Sequence, residues 1–418
     1  MVMKSALLIS FPFPPIQGSS GYQRILAFSR YLADFGWKCT VLTVHPRVYL
    51  DTSKDNLALI PSRVRVMRPF ALDSMRDLSF RGKYLGIFGI PDRWQSWIIT
   101  GLITGIYSIV RHRHKVILST YPIASAHCIA WLLHCLTGIP WIADFRDPMA
   151  QNTWPETERE RRIYAWIERR IFRNAFAVIM TTEATKRFYQ DKYPQYSCKF
   201  FNVIPNGYDE SSFKGLDVKS LSRNQATIKR KIVLLHSGSL SRRDRDPTNL
   251  FIAIRALVDK GMLPNDGLIV KLRASGSNSD INDLIEEYKL AGIVTLEESV
   301  SYPEAIREMC SVDGLLLLQG ETCNRQIPAK LYEYLYTRKP IFAMTHPDGD
   351  TEGLLRQIGY ATIVNIDDSD SVRSGLHRYL NRIHADNLSL IPDDVVEKYS
   401  RRYGTKILAE LFDNAIGS

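Results

Sequence analysis

Short runs of apolar residues alternate along the chain with segments in which apolar residues recur at helical spacing. The run ALLIS (6–10) is followed by a loop rich in proline and glycine, by apolar positions three or four residues apart over 25–35, and by the run KCTVLTV (38–44). Continuous apolar runs of this length predict strands buried on both faces, and the three-to-four spacing predicts an amphipathic helix. This order predicts a parallel sheet with helices on both of its faces.

The same alternation continues along the chain and restarts once. In the first series we predict strands at 116–120, 141–145 and 177–181 and helices at 98–111, 124–136 and 159–172. After a loop of turn-forming residues at 204–217, we predict a strand followed by a glycine-containing loop at 231–239, strands at 268–276, 294–299, 314–319 and 340–345, and helices at 250–257, 281–290, 303–309 and 328–336. The sequence therefore predicts an α/β protein of two Rossmann-like, doubly wound domains that face each other across a cleft.

The restart also sets the domain boundaries. We predict an amino-terminal domain at 1–207, a carboxy-terminal domain at 208–392 and a final helical segment at 393–418, with packing of that segment back on the amino-terminal domain as one option. A chain of 418 residues with 45% hydrophobic content is long enough for two or three globular domains. The same composition argues against a disordered or fibrous protein.

The net charge of +10 is unevenly distributed. Residues 1–207 contain 27 Lys and Arg against 14 Asp and Glu, whereas the remainder contains 27 against 30. The positive excess lies entirely in the first half, which indicates that the two domains have different partners, with an anionic acceptor or membrane surface at the first. Because the chain has no zinc-finger spacing, RNP-type segment or long basic block, we expect no nucleic acid among the partners.

Cysteine spacing and apolar run length indicate the compartment. The six cysteines form no C-x-x-C pair, so we expect neither a disulfide framework nor a zinc site, but buried thiols in a reducing compartment. The longest apolar stretch, 98–110, has 13 residues, fewer than the roughly 20 that a membrane-spanning helix needs. We therefore expect a cytoplasmic protein, either soluble or peripheral on the inner face of the membrane.

Two segments of the first half follow predicted strands, at the edge where open parallel sheets bind ligands. One is the glycine-containing loop from Gly18 to Arg24, which leads into a helix whose first N–H groups suit anionic or polar atoms. A plain turn is the alternative. The other is the segment from Asp144 to Asp147, whose charged side chains either hold a substrate hydroxyl or form a local Asp–Arg pair.

The second half has two further candidate segments. Arg242, Arg243 and Arg245 lie in the loop after a predicted strand, and their guanidinium groups match the oxygens of a diphosphate; a solvated charged turn is the alternative. A predicted helix would place its first N–H groups and Lys330 beside a phosphate. Glu333, about one turn later, would reach a sugar hydroxyl or only balance the helix dipole.

Other chemistry is less well supported by the sequence. The D-x-D segments at 244–246 and 348–350 have no further ligand candidates close by, so we expect no metal site. His127 and His236 lie at or beside strand ends and are candidate acid–base groups, with structural or orienting roles as the alternative.

Taken in this order, the motifs resemble a retaining glycosyltransferase of the GT-B fold, in family 4. The phrases that carry the resemblance are FPFPPIQGSSGYQR with FGWKCTVLT, STYPIASAH with WIADFRDP, VIPNGYD, HSGSL followed by RDP, and IPAKLYEYLYTRKPIFA. WIADFRDP resembles a subgroup in which ADFRDPW recurs. The resemblance covers residues 5–365.

The resemblance implies a role for each candidate residue. A nucleoside diphosphate sugar, the donor, would bind the carboxy-terminal domain, and the acceptor would bind the amino-terminal domain. Catalytic roles are implied for Arg245, Lys330, Asp144 and Arg146, and donor-binding roles for Gly18, Gly21, Arg24, Ser239, Arg242, Arg243, Ala329 and Glu333. Neither a cofactor nor a metal is implied.

Three positions depart from the family pattern. Arg325 lies eight residues before Glu333, where many members have a second glutamate that holds the transferred sugar, so the identity of the sugar stays open. Ser239 replaces the arginine of members with a G-R-L phrase. The paired glycines of the opening loop are Gly18 and Ser19 here.

The predicted activity is transfer of a sugar to a hydroxyl of a glycan or lipid-linked acceptor, with retention, in the synthesis of surface polysaccharide or glycoconjugate. A nucleotide-sugar epimerase of the same fold, which needs no acceptor, is one alternative. A non-catalytic GT-B scaffold is the other, and the missing glutamate at Arg325 favours it.

The segment 80–110 combines aromatic and basic side chains. This mixture predicts a membrane interface, with the core of an ordinary helix as the alternative. The residues concerned are Phe88, Trp94, Trp97 and Tyr107 with Arg81, Lys83 and Arg93.

Overall fold

The chain divides into two compact units. The computed structural model describes residues 4–17, 20–79, 89–151, 154–216, 231–264, 267–276, 279–385 and 391–417. One unit comprises Met1–Asn206 together with Arg401–Ser418, and the other comprises Gly207–Ser400. Each unit is an α/β sandwich with its own parallel sheet.

The amino-terminal unit is built on a seven-stranded sheet. Its strands are β1 (Lys4–Ile9), β2 (Trp37–Leu42), β3 (Arg65–Met67), β4 (Val116–Thr120), β5 (Trp141–Arg146), β6 (Ala177–Met180) and β7 (Phe201–Val203), and they lie in the order β3-β2-β1-β4-β5-β6-β7. The α-helices span Gln23–Tyr31, Lys54–Ala58, Ser74–Asp77, Trp97–His112, Ala124–Thr137, Glu158–Asn174, Glu183–Lys192 and Arg401–Gly417.

Both faces of this sheet are buried, as the continuous apolar runs predict. Successive side chains of a strand point to opposite faces, so Leu7 and Ile9 enter one core, whereas Ala6 and Leu8 enter the other. Helices therefore cover the sheet on both sides.

The carboxy-terminal unit repeats this architecture with six strands. They are β8 (Ile232–Ser237), β9 (Leu268–Arg273), β10 (Val294–Glu297), β11 (Gly314–Gln319), β12 (Ile341–Thr345) and β13 (Ala361–Asn365), in the order β10-β9-β8-β11-β12-β13. The α-helices span Thr248–Asp259, Ser279–Glu287, Tyr302–Ser311, Ala329–Thr337, Asp350–Ile358, Ser369–His384 and Asp393–Glu397.

The strand orders confirm the predicted class of two Rossmann-like, doubly wound domains. Every pairing between named strands is parallel, and in each sheet the order reverses beside the first strand of the unit, between β1 and β4 and between β8 and β11. Open sheets of this type bind ligands outside the carboxyl ends of the strands at such a reversal. Each unit therefore has one expected ligand-binding edge, at the carboxyl ends of the strands beside the reversal.

The final segment is not one helix, as the sequence predicted, but two. Asp393–Glu397 belongs to the carboxy-terminal unit, and Arg401–Gly417 belongs to the amino-terminal unit. The helix is interrupted where the backbone N–H of Tyr208 donates to the carbonyl of Tyr399 at 3.1 Å.

The last helix completes the core of the amino-terminal unit. Its Leu408 and Phe412 are fully buried, and the Phe412 ring lies 5.1 Å from that of Trp37. Residues almost 400 positions apart in sequence thus share one hydrophobic cluster.

One further expectation from the sequence is wrong. Not all thiols are buried: all six are free, Cys39 and Cys310 are buried, and Cys135 and Cys198 are exposed. The aromatic residues for which a membrane interface or a helix core was predicted divide between the two: Trp97 is fully buried and the Trp94 ring lies 4.3 Å from that of Phe11, whereas Tyr107 is exposed. Arg81, Lys83 and Phe88 lie outside the described residues. No helix in the described part of the chain is long and apolar enough to cross a membrane.

Candidate functional site

A lysine and a histidine meet at the sheet reversal of the carboxy-terminal unit. The Nζ of Lys330, in the first turn of helix Ala329–Thr337, lies 3.1 Å from Nε2 of His236 near the end of β8. Nδ1 of His236 lies 3.1 Å from the carbonyl oxygen of Leu316 on β11. Because a carbonyl only accepts, Nδ1 carries the proton, and Nε2 accepts from Lys330.

Burial sets the charge of this pair. It lowers the pKa of Lys330 to about 7, with a further lowering by the charge of Arg245 and an opposing contribution from Glu333. Burial, and then the charge of Lys330, hold the pKa of His236 well below its usual value, so the imidazole is neutral. A lysine with a pKa near 7 gains its charge most readily when an anion binds beside it.

Gly238 provides the space that the Lys330 ammonium occupies. Its φ of +126° lies in a region that L side chains rarely adopt, and a Cβ there would lie 2.9 Å from Nζ of Lys330. Any larger residue at this position would therefore be strained and would displace the lysine.

The loop after β8 holds Arg245 close to its start. Arg245 is partly buried, and its Nη1 donates to Oγ of Ser239 at 3.2 Å. The loop closes on itself where the N–H of Arg245 donates to the carbonyl of Ser241 at 2.7 Å. The other two predicted arginines, Arg242 and Arg243, are exposed and lie 3.9 Å from neighbouring aspartates. Arg245, Ser239 and Lys330 thus lie near the sheet reversal between β8 and β11, whereas Arg242 and Arg243 are on the surface.

Glu333 lies in the same helix as Lys330 and is buried. One of its carboxylate oxygens accepts a hydrogen bond from the hydroxyl of Tyr302 at 2.6 Å. The next residue, Tyr334, accepts a hydrogen bond at its hydroxyl from the N–H of Ser237, at 3.1 Å, which ties the helix to the end of β8. The helix start at Ala329 is thereby fixed against the strand.

Arg325 lies in the loop between β11 and this helix. Nε2 of Gln319, at the end of β11, donates to the carbonyls of Cys323 and Gln326 at 2.7 Å each. Arg325 is exposed. Arg325, which occupies the position of the usual second glutamate, therefore lies in a loop whose backbone is fixed by hydrogen bonds from Gln319 of β11.

A buried ion pair marks the corresponding edge of the amino-terminal unit. Nε and Nη2 of Arg24 donate to the two carboxylate oxygens of Asp144 at 2.8 and 3.1 Å, and both side chains are almost fully buried. The hydroxyl of Thr120 donates to Asp144 at 3.0 Å, and Nη1 of Arg24 donates to the carbonyl of Pro205 at 2.9 Å. Asp144 is thus engaged by Arg24, which joins the first helix to β5.

Arg146 follows a bulge at the end of β5. Its φ is +56°, uncommon for a residue other than glycine, and Nη1 donates to the carbonyl of Gly21 at 2.8 Å. Its Nε is buried and has no hydrogen-bond partner among the described residues. Burial lowers the pKa of Arg146, and the charges of Asp144 and Asp147 oppose that effect. Burial also raises the pKa of Asp147.

His127 lies below this edge, inside the core. It is fully buried, its Nδ1 lies 2.7 Å from Oγ of Ser119, and burial lowers its pKa to about 3. Its Nε2 has no hydrogen-bond partner within the described part of the chain.

The candidate residues therefore form two groups, one in each unit. Gly18 lies outside the described residues. Sequence reasoning did not find the contributions of Gly238, Thr120 and Tyr302, and it left the role of His236 open. Of these, the glycine in the segment HSGSL was the one with a visible signal, because glycine after a strand often marks a close approach. Among the described residues, no group of three or more His, Cys, Asp or Glu could hold a metal ion.

Comparison with known proteins supports this picture. Residues 20–207 match the family model of the glycosyl transferase 4-like domain. No curated protein matches the chain in sequence.

Solved structures resemble the whole chain. Sucrose-phosphate synthase from Thermosynechococcus elongatus is 14% identical with a TM-score of 0.66, over 98% of each chain. Anabaena HepE, solved in complex with UDP and also with UDP-glucose, is 13% identical in the UDP complex with a TM-score of 0.64, over 99% of this chain and 100% of that one. WaaG, a glycosyltransferase involved in lipopolysaccharide biosynthesis, is 12% identical with a TM-score of 0.57, over 99% of this chain and 98% of that one.

At these identities the likeness shows the fold. The chain has the GT-B fold, and within its amino-terminal half residues 20–207 are similar to a glycosyl transferase 4-like domain.

Proposed function

We propose that the chain is a retaining glycosyltransferase that moves a sugar from a nucleoside diphosphate sugar to a hydroxyl group. The observation that carries the proposal is the pair of cationic side chains, Arg245 and Lys330, at the sheet reversal of the carboxy-terminal unit. A diphosphate gathers negative charge as its bond to the sugar breaks, and fixed cations stabilise that charge. The glycosyl transferase 4-like domain in the other unit supports the same activity.

The donor would bind with its diphosphate at Arg245 and Lys330. The Ser239 hydroxyl and the first N–H groups of the helix at Ala329 would add hydrogen-bond donors, and Glu333 of the same helix would hold the ribose. HepE was solved with UDP and UDP-glucose, which supports a uridine nucleotide as the first donor to test.

The cations at this site could stabilise the leaving diphosphate without a metal ion. Lys330, whose pKa is about 7, is only partly charged before the donor binds, and the diphosphate would complete its protonation. We therefore propose metal-independent transfer with no cofactor.

The acceptor would bind at the buried edge of the amino-terminal unit. Asp144 is occupied by Arg24 and so acts as a positioning residue, whereas Arg146 has a buried Nε without a partner among the described residues and is the better candidate for an acceptor oxygen. We propose a glycan or lipid-linked acceptor in surface polysaccharide synthesis, with the protein on the cytoplasmic side and peripheral to the membrane. WaaG, which has the same fold, is involved in lipopolysaccharide biosynthesis.

The activity is tested by incubating UDP-, GDP- and dTDP-sugars with the protein, with and without glycan and lipid-linked acceptors. We expect acceptor-dependent release of a nucleoside diphosphate and a turnover about 10²–10³ times lower in Arg245→Ala. Arg255→Ala is the matched control and should keep normal turnover, because Arg255 pairs with Asp259 of its own helix, Thr248–Asp259.

The alternatives give other results. Interconversion of the donor without an acceptor would identify an epimerase. Failure to bind any nucleoside diphosphate would identify a scaffold.

A further inference from the structure

Helix Trp97–His112 exposes a continuous apolar surface. Ile99, Ile103, Ile106, Tyr107 and Val110, which we call the apolar face, have between 36 and 75% of their surface exposed. Their spacing of three and four residues places all five within about 100° around the helix axis. Scattered apolar residues are normal on protein surfaces, but a stripe of five along one helix indicates a binding surface.

The opposite side of the helix is fixed tightly to the unit. A Cβ at Gly101 would lie 2.6 Å from Cδ1 of Ile129, and a Cβ at Gly105 would lie 2.6 Å from Cδ1 of Leu133. The two glycines therefore allow close contact with helix Ala124–Thr137, and Trp97 is fully buried on the same side. Because this packing leaves no rotational freedom, the apolar face points outward as part of the fold.

The helix and the chain that follows it carry charges of one sign. No aspartate or glutamate occurs between Asp92 and Asp144, a stretch of 51 residues. Arg111, Arg113 and Lys115, directly after the apolar face, are all exposed. An apolar stripe that ends in three cations is suited to a surface that is apolar inside and anionic outside.

A neighbouring segment extends the apolar surface. The Thr100 hydroxyl donates to the carbonyl of Phe70 at 2.5 Å, and half of the Phe70 side-chain surface is exposed. The guanidinium of Arg47 lies 4.7 Å from the Phe70 ring centre, and its Nη2 lies 3.6 Å from Oδ1 of Asp77. Phe70 therefore adds an exposed ring beside the helix, whereas the charge of Arg47 is balanced by a carboxylate.

We propose that the apolar face docks the amino-terminal unit on an anionic bilayer, with the helix lying in the plane of the headgroups. At 16 residues the helix is too short to cross the bilayer. A second copy of the chain fits less well, because helix Trp97–His112 contains no aspartate or glutamate that could pair with the cations of a second copy in either orientation. Presentation of a lipid-linked acceptor by this docking rests on the proposed function, whereas the docking itself does not.

Vesicle co-sedimentation of the full chain tests the proposal. We expect the wild type to bind vesicles of phosphatidylcholine with phosphatidylglycerol at low salt, and Ile103→Gln/Val110→Gln to lower the partition coefficient at least tenfold. Met262→Gln/Val300→Gln, at exposed apolar positions of the other unit, is the matched control and should bind like the wild type. Arg111→Gln/Arg113→Gln should weaken binding to the anionic vesicles and leave the weak binding to pure phosphatidylcholine unchanged.

Two further measurements distinguish a loss of membrane docking from unfolding and from a damaged donor site. The midpoint of urea unfolding, followed by tryptophan emission, shows that each variant is folded, and UDP affinity shows whether the donor site is intact. Vesicle binding without UDP binding would leave docking standing and count against the proposed function.

Three results would each overturn the docking proposal. The first is that the wild type does not bind the anionic vesicles, and the second is that Ile103→Gln/Val110→Gln binds them as well as the wild type does. The third is that the wild type is a dimer in solution and that this double substitution dissociates it.

Discussion

At the scale of single residues, the environment of Lys330 decides what the carboxy-terminal unit can bind. The neutral imidazole of His236 accepts its hydrogen bond, the missing side chain of Gly238 leaves space for its Nζ, and burial brings its pKa to about 7. The charge at the site therefore depends on the anion that it binds.

This coupling predicts a pH-dependent affinity for the donor. With a pKa of about 7, Lys330 is mostly neutral above pH 7 and must take up a proton when the diphosphate binds. The Kd for UDP-glucose should therefore rise about tenfold per pH unit above pH 7. Calorimetry from pH 6 to 9 measures it.

Two variants test whether Lys330 is the group that takes up the proton when the donor binds. Lys330→Gln should bind more weakly and with little pH dependence in this range, whereas Lys260→Gln, at an exposed lysine of the same unit, should follow the wild type. An unchanged pH profile in Lys330→Gln would show that another group takes up the proton.

The sequence could identify charged candidates but not their surroundings. Arg245 and Lys330 were found because their charge and position after strands are visible in the sequence. The exposure of Arg242 and Arg243, and the engagement of Asp144 by Arg24 across 120 residues, depend on tertiary contacts that no local pattern encodes.

At the scale of elements, close helix packing determines which faces stay exposed. Gly101 and Gly105 let helix Trp97–His112 approach helix Ala124–Thr137 at a distance that no larger residue permits. The isoleucines of the other side are left outside as a result.

A single methyl group at this contact should be costly. In Gly105→Ala the new Cβ meets Cδ1 of Leu133 at 2.6 Å. Overpacking lowers the free energy of unfolding by about 1–3 kcal/mol, and the better helix propensity of alanine offsets up to about 1 kcal/mol of this loss. We expect a net loss of about 1–2 kcal/mol in urea denaturation followed by circular dichroism.

The matched control is Gly353→Ala, in helix Asp350–Ile358. Gly353 is exposed, and a Cβ there meets nothing within 4 Å. This substitution should stabilise the protein by about 0.5–1 kcal/mol. Equal stabilisation by both substitutions would mean that the helices are not in close contact at Gly105.

Most core strands were predictable because they are continuous apolar runs. The predicted ranges 116–120 and 314–319 coincide with β4 and β11. The edge strands β3 and β7 were missed because each has only three residues, too few for a pattern to show. The edge strand β13 was missed as well, although it has five residues. The sequence left the place of Trp97 open, because an aromatic residue near basic ones fits a helix core as well as an interface, and the structure places it in the core.

At the scale of the whole molecule, the chain returns to its first unit after completing the second. Helix Arg401–Gly417 fills the core beside β1 and β2, so the amino-terminal unit is not made of continuous sequence. The restart of the strand–helix pattern gave the main boundary, but the amphipathic pattern of 393–418 did not reveal that this segment divides between the units.

This division predicts a long-range effect of a substitution near the end of the chain. Phe412→Ala removes a fully buried ring that packs on Trp37 and should destabilise the amino-terminal unit by about 3–5 kcal/mol. All seven tryptophans lie between positions 37 and 166, so tryptophan emission during urea unfolding reports on this unit alone.

The neighbouring exposed residue provides the control. Asn414→Ala should change the stability by no more than about 0.5 kcal/mol. UDP affinity should be the same in both variants under native conditions. An unchanged tryptophan transition in Phe412→Ala would mean that the helix contributes little to the amino-terminal unit.

The central claim is that the carboxy-terminal unit binds a nucleoside diphosphate through Arg245 and Lys330. Calorimetric titration of the wild type with UDP, GDP and dTDP tests it most directly. We expect one-to-one binding of at least one of them, weakened about tenfold or more in Arg245→Ala, because a charged hydrogen bond is worth about 1.5–3 kcal/mol, and unchanged in Arg255→Ala. No binding of any of the three, or equal affinity in Arg245→Ala and the wild type, would contradict the account.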